Sequence, residues 1–220
     1  MLLSMNVIEL FSSIDGEGKR QGFLTTFLRL HDCNIRCSYC DTLYSYGPES
    51  TFESMSVQAV ADVIEQLENH RITVTGGEPL LQEPAIIELI DELTRRNARY
   101  DFNIETNGTI IPSFHRDNVW FTYDYKTPSS LAEEAMNLDI FKVATPEDII
   151  KFVVGSMQDL DRMNEILKTY PTDAQIFVSP VWGNIEGATI IDYMKAHNWQ
   201  NVRFQLQIHK FIWDPDAKGV

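Results

Sequence analysis

Cysteine is nearly absent from this chain, with three residues in 220, all inside one stretch, CNIRCSYCDT at 33–42. So few, so close together and odd in number, they exclude the paired framework of a small secreted protein. They point to a reducing compartment, the cytoplasm. Basic residues are also scarce: 18 Lys and Arg against 32 Asp and Glu leave a net charge of −14. A surface of that sign repels phosphate backbones and anionic headgroups, so neither nucleic acid nor a membrane surface is an expected partner. No apolar run of about 18 residues occurs, which removes a spanning helix. The opening MLLSMNVIEL reaches Asn6 and Glu9 too early for a signal-peptide core, and no leader is expected there. Repeats, low-complexity tracts and linkers are missing too. A single domain over 1–220 follows.

What is present alternates. TTFLRLH (25–31), RITVT (71–75), DFNIET (101–106), VWFTYDY (119–125), IKFVV (150–154), QIFVSPV (175–181) and VRFQLQIHK (202–210) read as strands. Between them, Val57, Val60, Ile64 and Leu67 mark a helical face behind a Ser56 cap. Pro84 opens a second helix carrying Ile86, Leu89, Ile90 and Leu93. Ser156, with Asp159 three residues on, starts a third, and Ile190, Ile191 and Met194 mark a fourth. Strand–helix alternation predicts right-handed βαβ units on a parallel sheet. Seven strands are too few for a closed eight-unit barrel of about 250 residues. The expectation is an incomplete β/α barrel with its site at the C-terminal strand ends. That rim carries 32–42, 75–79, 106–108, 124–129 and 179–182.

The cysteines admit three explanations. Structural zinc takes four ligands, and only a histidine could be the fourth here. A redox Cys-x2-Cys explains Cys37 and Cys40 but leaves Cys33 idle. An iron–sulfur cluster on three thiolates uses all three and keeps one iron open for a small molecule.

Cys33-x3-Cys37-x2-Cys40, with Tyr39 inside it, resembles the signature of the radical S-adenosylmethionine superfamily. The resemblance implies a [4Fe–4S] cluster on Cys33, Cys37 and Cys40 whose fourth iron binds S-adenosylmethionine, with the hard chemistry left to the cofactor. TGGEP at 75–79 is similar to the superfamily's GGEP motif, so Gly76, Gly77 and Glu78 are implied to hold the methionine amino group. Tyr39, Cys40 and Asp41 flank the cofactor on the same grounds. Asp124, Tyr125, Lys126 and Ser179, in DYKTPSS and SPVW, are implied for the sugar and the methionine carboxylate.

The flanks resemble one family more narrowly. IELFSSIDGEGKRQGFLTTFLRLHDCNIRCSYCDTLY (8–44) is similar to the N-terminal region of 7-carboxy-7-deazaguanine synthases, and QLQIHKFIW (205–213) to their ending. The implied substrate is 6-carboxy-5,6,7,8-tetrahydropterin. Ile14, Asp15, Gly16, Glu17 and Thr75 are then substrate-binding residues. Arg29 becomes a catalytic carboxylate fork, since guanidinium geometry matches two oxygens. Thr42 takes the family's Mg²⁺ position. A flavodoxin or ferredoxin as electron donor and a homodimer are implied as well. Two departures stand out: Asp15 replaces the usual Gln, and Asp32 replaces a common Gly. A glycyl-radical activase shares the cysteine spacing and remains the rival enzyme, and a zinc- or cluster-stabilised binding module is the rival outside enzymes.

Overall fold

The computed structural model describes residues 3–215 and 217–220. Nine strands form one sheet: β1 (Ser4–Ile14), β2 (Leu24–Leu30), β3 (Glu53–Ser56), β4 (Arg71–Gly76), β5 (Asp101–Thr106), β6 (Val119–Tyr125), β7 (Ile149–Val154), β8 (Gln175–Pro180) and β9 (Val202–Phe204). The helices are α1 (Val57–Gln66), α2 (Glu83–Arg96), α3 (Ile140–Val143), α4 (Met157–Thr169), α5 (Gly187–Ala196) and α6 (His209–Ile212). The sheet order is β3-β1-β2-β4-β5-β6-β7-β8-β9. From β2 to β9 every pairing is parallel, whereas β1 runs antiparallel to both β2 and β3. The sheet does not close, so the expected incomplete barrel is what forms. No helix among the described residues is long and apolar enough to cross a membrane.

Local sequence explains the helix starts. Ser56 Oγ accepts from the Ala59 amide at 3.2 Å and Ser156 Oγ from the Asp159 amide at 3.3 Å, each satisfying an orphan N–H of the first turn. Pro84 lies in the first turn of α2, where a missing N–H costs nothing. Three elements differ from expectation. β1 and β3 were not foreseen, because β1 is broken by a register shift between Val7 and Glu9 and β3 is only ESMS. The expected strand 202–210 ends at Phe204, after which the chain turns into α6.

Alternation along the strands builds two different faces. Leu28, Ile72, Val74, Phe102, Ile104, Phe121, Ile150, Phe152 and Val178 face the helices and join one apolar core. Burying each such side chain is worth roughly 1.5–3 kcal/mol. The intervening residues Thr25, Thr73, Asn103, Thr122, Asp124, Lys151 and Ser179 face the lumen and are mostly polar. Beneath them Arg20 is buried: Nη1 donates to the Ile72 carbonyl at 3.1 Å, Nη2 pairs with Asp101, and the guanidinium lies 4.1 Å from the Trp120 ring. That side chain plugs the N-terminal end of the barrel, which leaves the lumen opening at the other end.

Candidate active site

At that open end a cavity of about 1040 Å³ brings together loops far apart in sequence. Cys33, Cys37, Cys40, Tyr39, Asp41 and Thr42 line one wall, and Ile14, Asp15, Gly16, Glu17 and Arg29 another. Thr75, Gly76, Gly77, Asp124 and Lys126 complete it.

The cysteine loop is fastened from several sides. Asp32 adopts φ +80°, a left-handed conformation that explains why a glycine suits this position. Asp tolerates it because its Oδ1 accepts the Cys33 amide at 2.8 Å. Asn107 Nδ2 donates toward Cys33 Sγ at 3.7 Å, and Ser38 N–H donates to the Ser130 carbonyl at 2.9 Å. A Cβ on Gly77 would collide with the Asp32 carbonyl and the Cys33 Cβ, and one on Gly76 with the Leu30 backbone. The two glycines thus let the cysteine loop pass close over the end of β4.

Burial pushes the Cys33 thiol up and the Cys37 thiol up to about 11. Among the described residues, no three Cys, His, Asp or Glu side chains are close enough to hold a single metal ion, the three thiols included. Three buried side-chain oxygens among the described residues have no hydrogen-bond partner, and two of them, Asp124 Oδ1 and Ser179 Oγ, lie on the lumen face of the sheet. Orphaned buried groups are rare in folded proteins. Together with the thiols and the glycine passage, they fit a polar cofactor seated on the cysteine side.

Several expected side chains do something else. Glu78 is fully buried and absent from the cavity wall; its carboxylate accepts from the Leu80 and Asn107 amides and from Thr106 Oγ1. It ties the glycine loop to the end of β5. Tyr125 points outward, packing on Phe141 and Phe152 with its hydroxyl donating to Glu133, because strand alternation sends Asp124 inward and its neighbour out. Ser179 sits on the lumen side of β8 but is fully buried. Arg29 is half-buried and already ion-paired: Nε lies 2.6 Å from Glu9, which also accepts from Tyr44. The terminal guanidinium nitrogens remain for a ligand.

On the opposite wall, Asp15 is buried with Oδ2 accepting from Thr73 at 3.2 Å and from Thr25 at 3.5 Å. Burial first, then the Glu105 carboxylate beside it, raise its pKa to about 7. Gly16 lies against the His209 ring, where a Cβ would not fit, and its carbonyl accepts from the Ile208 amide. Glu17 pairs with Lys151 at 2.6 Å. Thr42 Oγ1 donates to Asp41 at 2.9 Å, which leaves the hydroxyl's lone pairs for a cation. Glu105, Asn107 and Lys151 line the same cavity and are not among the expected site residues, and His209 of the QIHK segment lines it too. A charge inside an otherwise apolar strand is the signal that would find Lys151 in IIKFVV.

The radical SAM superfamily model matches residues 29–154, which span the cysteines and both wall loops at 75–77 and 124–126. A 7-carboxy-7-deazaguanine synthase of Clostridium acetobutylicum is 37% identical over 99% of this chain and 100% of that protein. One of Methanospirillum hungatei is 37% identical over 96% and 86% of the two chains. The chain belongs to the 7-carboxy-7-deazaguanine synthase family. Membership brings the superfamily's cofactors with it, a [4Fe–4S] cluster and S-adenosylmethionine. The crystal structure of QueE from Escherichia coli superposes with a TM-score of 0.70 over 92% of this chain and 93% of that one, at 23% identity. The fold is thus shared where the sequence has drifted.

Proposed function

We infer that this chain converts 6-carboxy-5,6,7,8-tetrahydropterin to 7-carboxy-7-deazaguanine with loss of ammonia, as one catalytic unit over 1–220. The observation that supports it best is the convergence of the Ile14–Glu17 loop and Arg29 on the cavity that also holds the three cysteines. Cys33, Cys37 and Cys40 would hold the cluster, with Gly76, Gly77, Asp124, Lys126 and Ser179 around S-adenosylmethionine. When bound, that pair supplies one-electron radical chemistry and the removal of a hydrogen atom from the substrate. Tyr39 and Asp41 flank the pair on the cysteine side.

The chain's own part is orientation. Arg29 offers its terminal nitrogens to the pterin carboxylate, and Glu17 accepts ring N–H groups. Thr75, whose hydroxyl donates toward Glu105 at 3.4 Å, borders the ring. Asp15, its pKa raised to about 7, is about half protonated at neutral pH, and in that protonated form it donates and accepts as an amide does, where the family usually has Gln. Thr42 contributes one hard oxygen to Mg²⁺ beside the substrate carboxylate. Holding substrate and reacting group in register can lower a barrier by roughly 7–11 kcal/mol. A flavodoxin or ferredoxin as reductant, a homodimer and a cytoplasmic setting go with this reading.

The test is anaerobic reconstitution with iron and sulfide, then incubation with reductant, S-adenosylmethionine, Mg²⁺ and the carboxypterin, followed by mass spectrometry. The expected result is a product lighter by ammonia, with 5′-deoxyadenosine not accumulating. An unchanged pterin despite cleavage of S-adenosylmethionine would overturn the substrate assignment and leave the superfamily membership intact.

A further inference from the structure

Lys151 interrupts the apolar run of β7, and its side chain is 6% exposed. Its ammonium lies 2.6 Å from Glu17 Oε1 and 3.5 Å from Asp124 Oδ2. The same Asp124 oxygen lies 3.0 Å from Lys126 Nζ. Four charges therefore form an alternating chain, Glu17, Lys151, Asp124 and Lys126, across the lumen. Its two ends belong to the two walls, Glu17 on the proposed pterin side and Lys126 on the S-adenosylmethionine side. Glu105 stands nearby and adds negative field to Lys151. A buried ion pair is a poor way to gain stability, because desolvation offsets the attraction. The Lys151 ammonium sits closer to Glu17 than to Asp124, and Asp124 keeps an acceptor, Oδ1, without a partner.

We propose that Lys151 is a positioning residue that couples the two binding walls, its ammonium moving from Glu17 toward Asp124 when Glu17 takes a ligand. The proposal rests on the functional reading above. Ring N–H groups of the pterin that donate to Glu17 compete with Lys151 for the carboxylate. The ammonium then leans on Asp124, which holds Lys126 less firmly, and Lys126 becomes available to the carboxylate of S-adenosylmethionine. Each ligand thus tightens the other, and by linkage the factor is the same in both directions. Burial opposes the charge on Lys151, yet Glu17 and Asp124 raise its pKa well above the ordinary lysine value, so the moving group stays an ammonium.

The test is equilibrium binding to the cluster-reconstituted protein without reductant, so that nothing turns over. The affinity for S-adenosylmethionine is measured with and without saturating carboxypterin, and the carboxypterin affinity alone. Wild type is expected to show about 5–150-fold tightening, the usual range for coupled sites. Lys151→Gln should bring the factor close to one, and Lys151→Arg should keep part of it. Should Lys151→Gln not fold, Glu17→Gln breaks the chain from the other end and should also flatten the factor. A purely structural lysine would lower both affinities while leaving their ratio unchanged, and that outcome overturns the proposal. So does independent binding of the two ligands in wild type. A protein that binds no carboxypterin overturns the functional reading and the coupling together.

Discussion

Neighbouring residues on the same strands of this barrel do opposite work. On β5, Phe102 and Ile104 are fully buried against the helices, while Asn103 and Glu105 face the lumen. On β7, Ile150 and Phe152 bracket Lys151 in the same way. Both faces are largely buried, but one is apolar and interlocked while the other holds carboxylates, hydroxyls and a lysine that cost free energy to bury. A period-two pattern lets one strand carry stability on one face and a binding site on the other. Polar burial of this kind marks function, since a barrel serving stability alone fills its interior with branched apolar residues.

The comparison can be broken from either side. The largest effect is expected from Cys37→Ser, which removes one thiolate on the lumen side. The reconstituted variant should lose the brown iron–sulfur absorption and all turnover while its unfolding midpoint without metal stays within about 0.5 kcal/mol of wild type, as for a substitution outside the core. Phe102→Ala is the converse. Denaturant unfolding should show a loss of about 3–5 kcal/mol, from lost transfer energy and the cavity left behind. Any turnover that survives should keep its substrate affinity.

Asp15 sharpens the contrast through pH. Its pKa is raised to about 7 in the folded chain against 3.8 for an ordinary aspartate. The folded state therefore holds a proton that the unfolded chain releases. This contribution to stability is fully present below about pH 4, falls as pH rises toward 7, and is flat beyond. At roughly 1.4 kcal/mol per pKa unit the fall amounts to at most about 4 kcal/mol. Asp15→Asn cannot ionise, so its stability relative to wild type should climb between about pH 4 and pH 7, read from urea midpoints at each pH. Parallel curves would show an Asp15 that titrates normally. The smallest effect belongs to the loop: Asp32→Gly relieves a left-handed residue and should cost less than about 0.5 kcal/mol, whereas Asp32→Val should cost about 1–2 kcal/mol.

Much of this was legible beforehand because it is written in short-range pattern. Caps at Ser56 and Ser156 and the apolar alternation of β4 to β8 announce themselves within a few residues. The cysteine spacing does the same for the cluster. What escaped depends on contacts the sequence does not display. β3 pairs through backbone groups and has almost no apolar signal. Glu78 carries a motif's acid, but its partners lie 28 and 29 residues away on the end of β5 and the turn after it. Tyr125 was grouped with Asp124 by adjacency, although adjacent strand residues face opposite ways. Lys151 meets Glu17 across 134 residues, a pairing visible only once the barrel brings β7 beside the first loop.

In the proposed function the polar lumen seats a pterin on the Asp15, Glu17 and Arg29 wall, facing S-adenosylmethionine on the cysteine wall. The direct test is a crystal structure of the reconstituted protein grown with S-adenosylmethionine and 6-carboxytetrahydropterin without reductant. The expected structure has the pterin carboxylate on the terminal nitrogens of Arg29 and its ring N–H groups on Glu17, with Lys151 drawn toward Asp124. A pterin bound outside the lumen, or one that leaves Arg29 and Glu17 untouched, would contradict it.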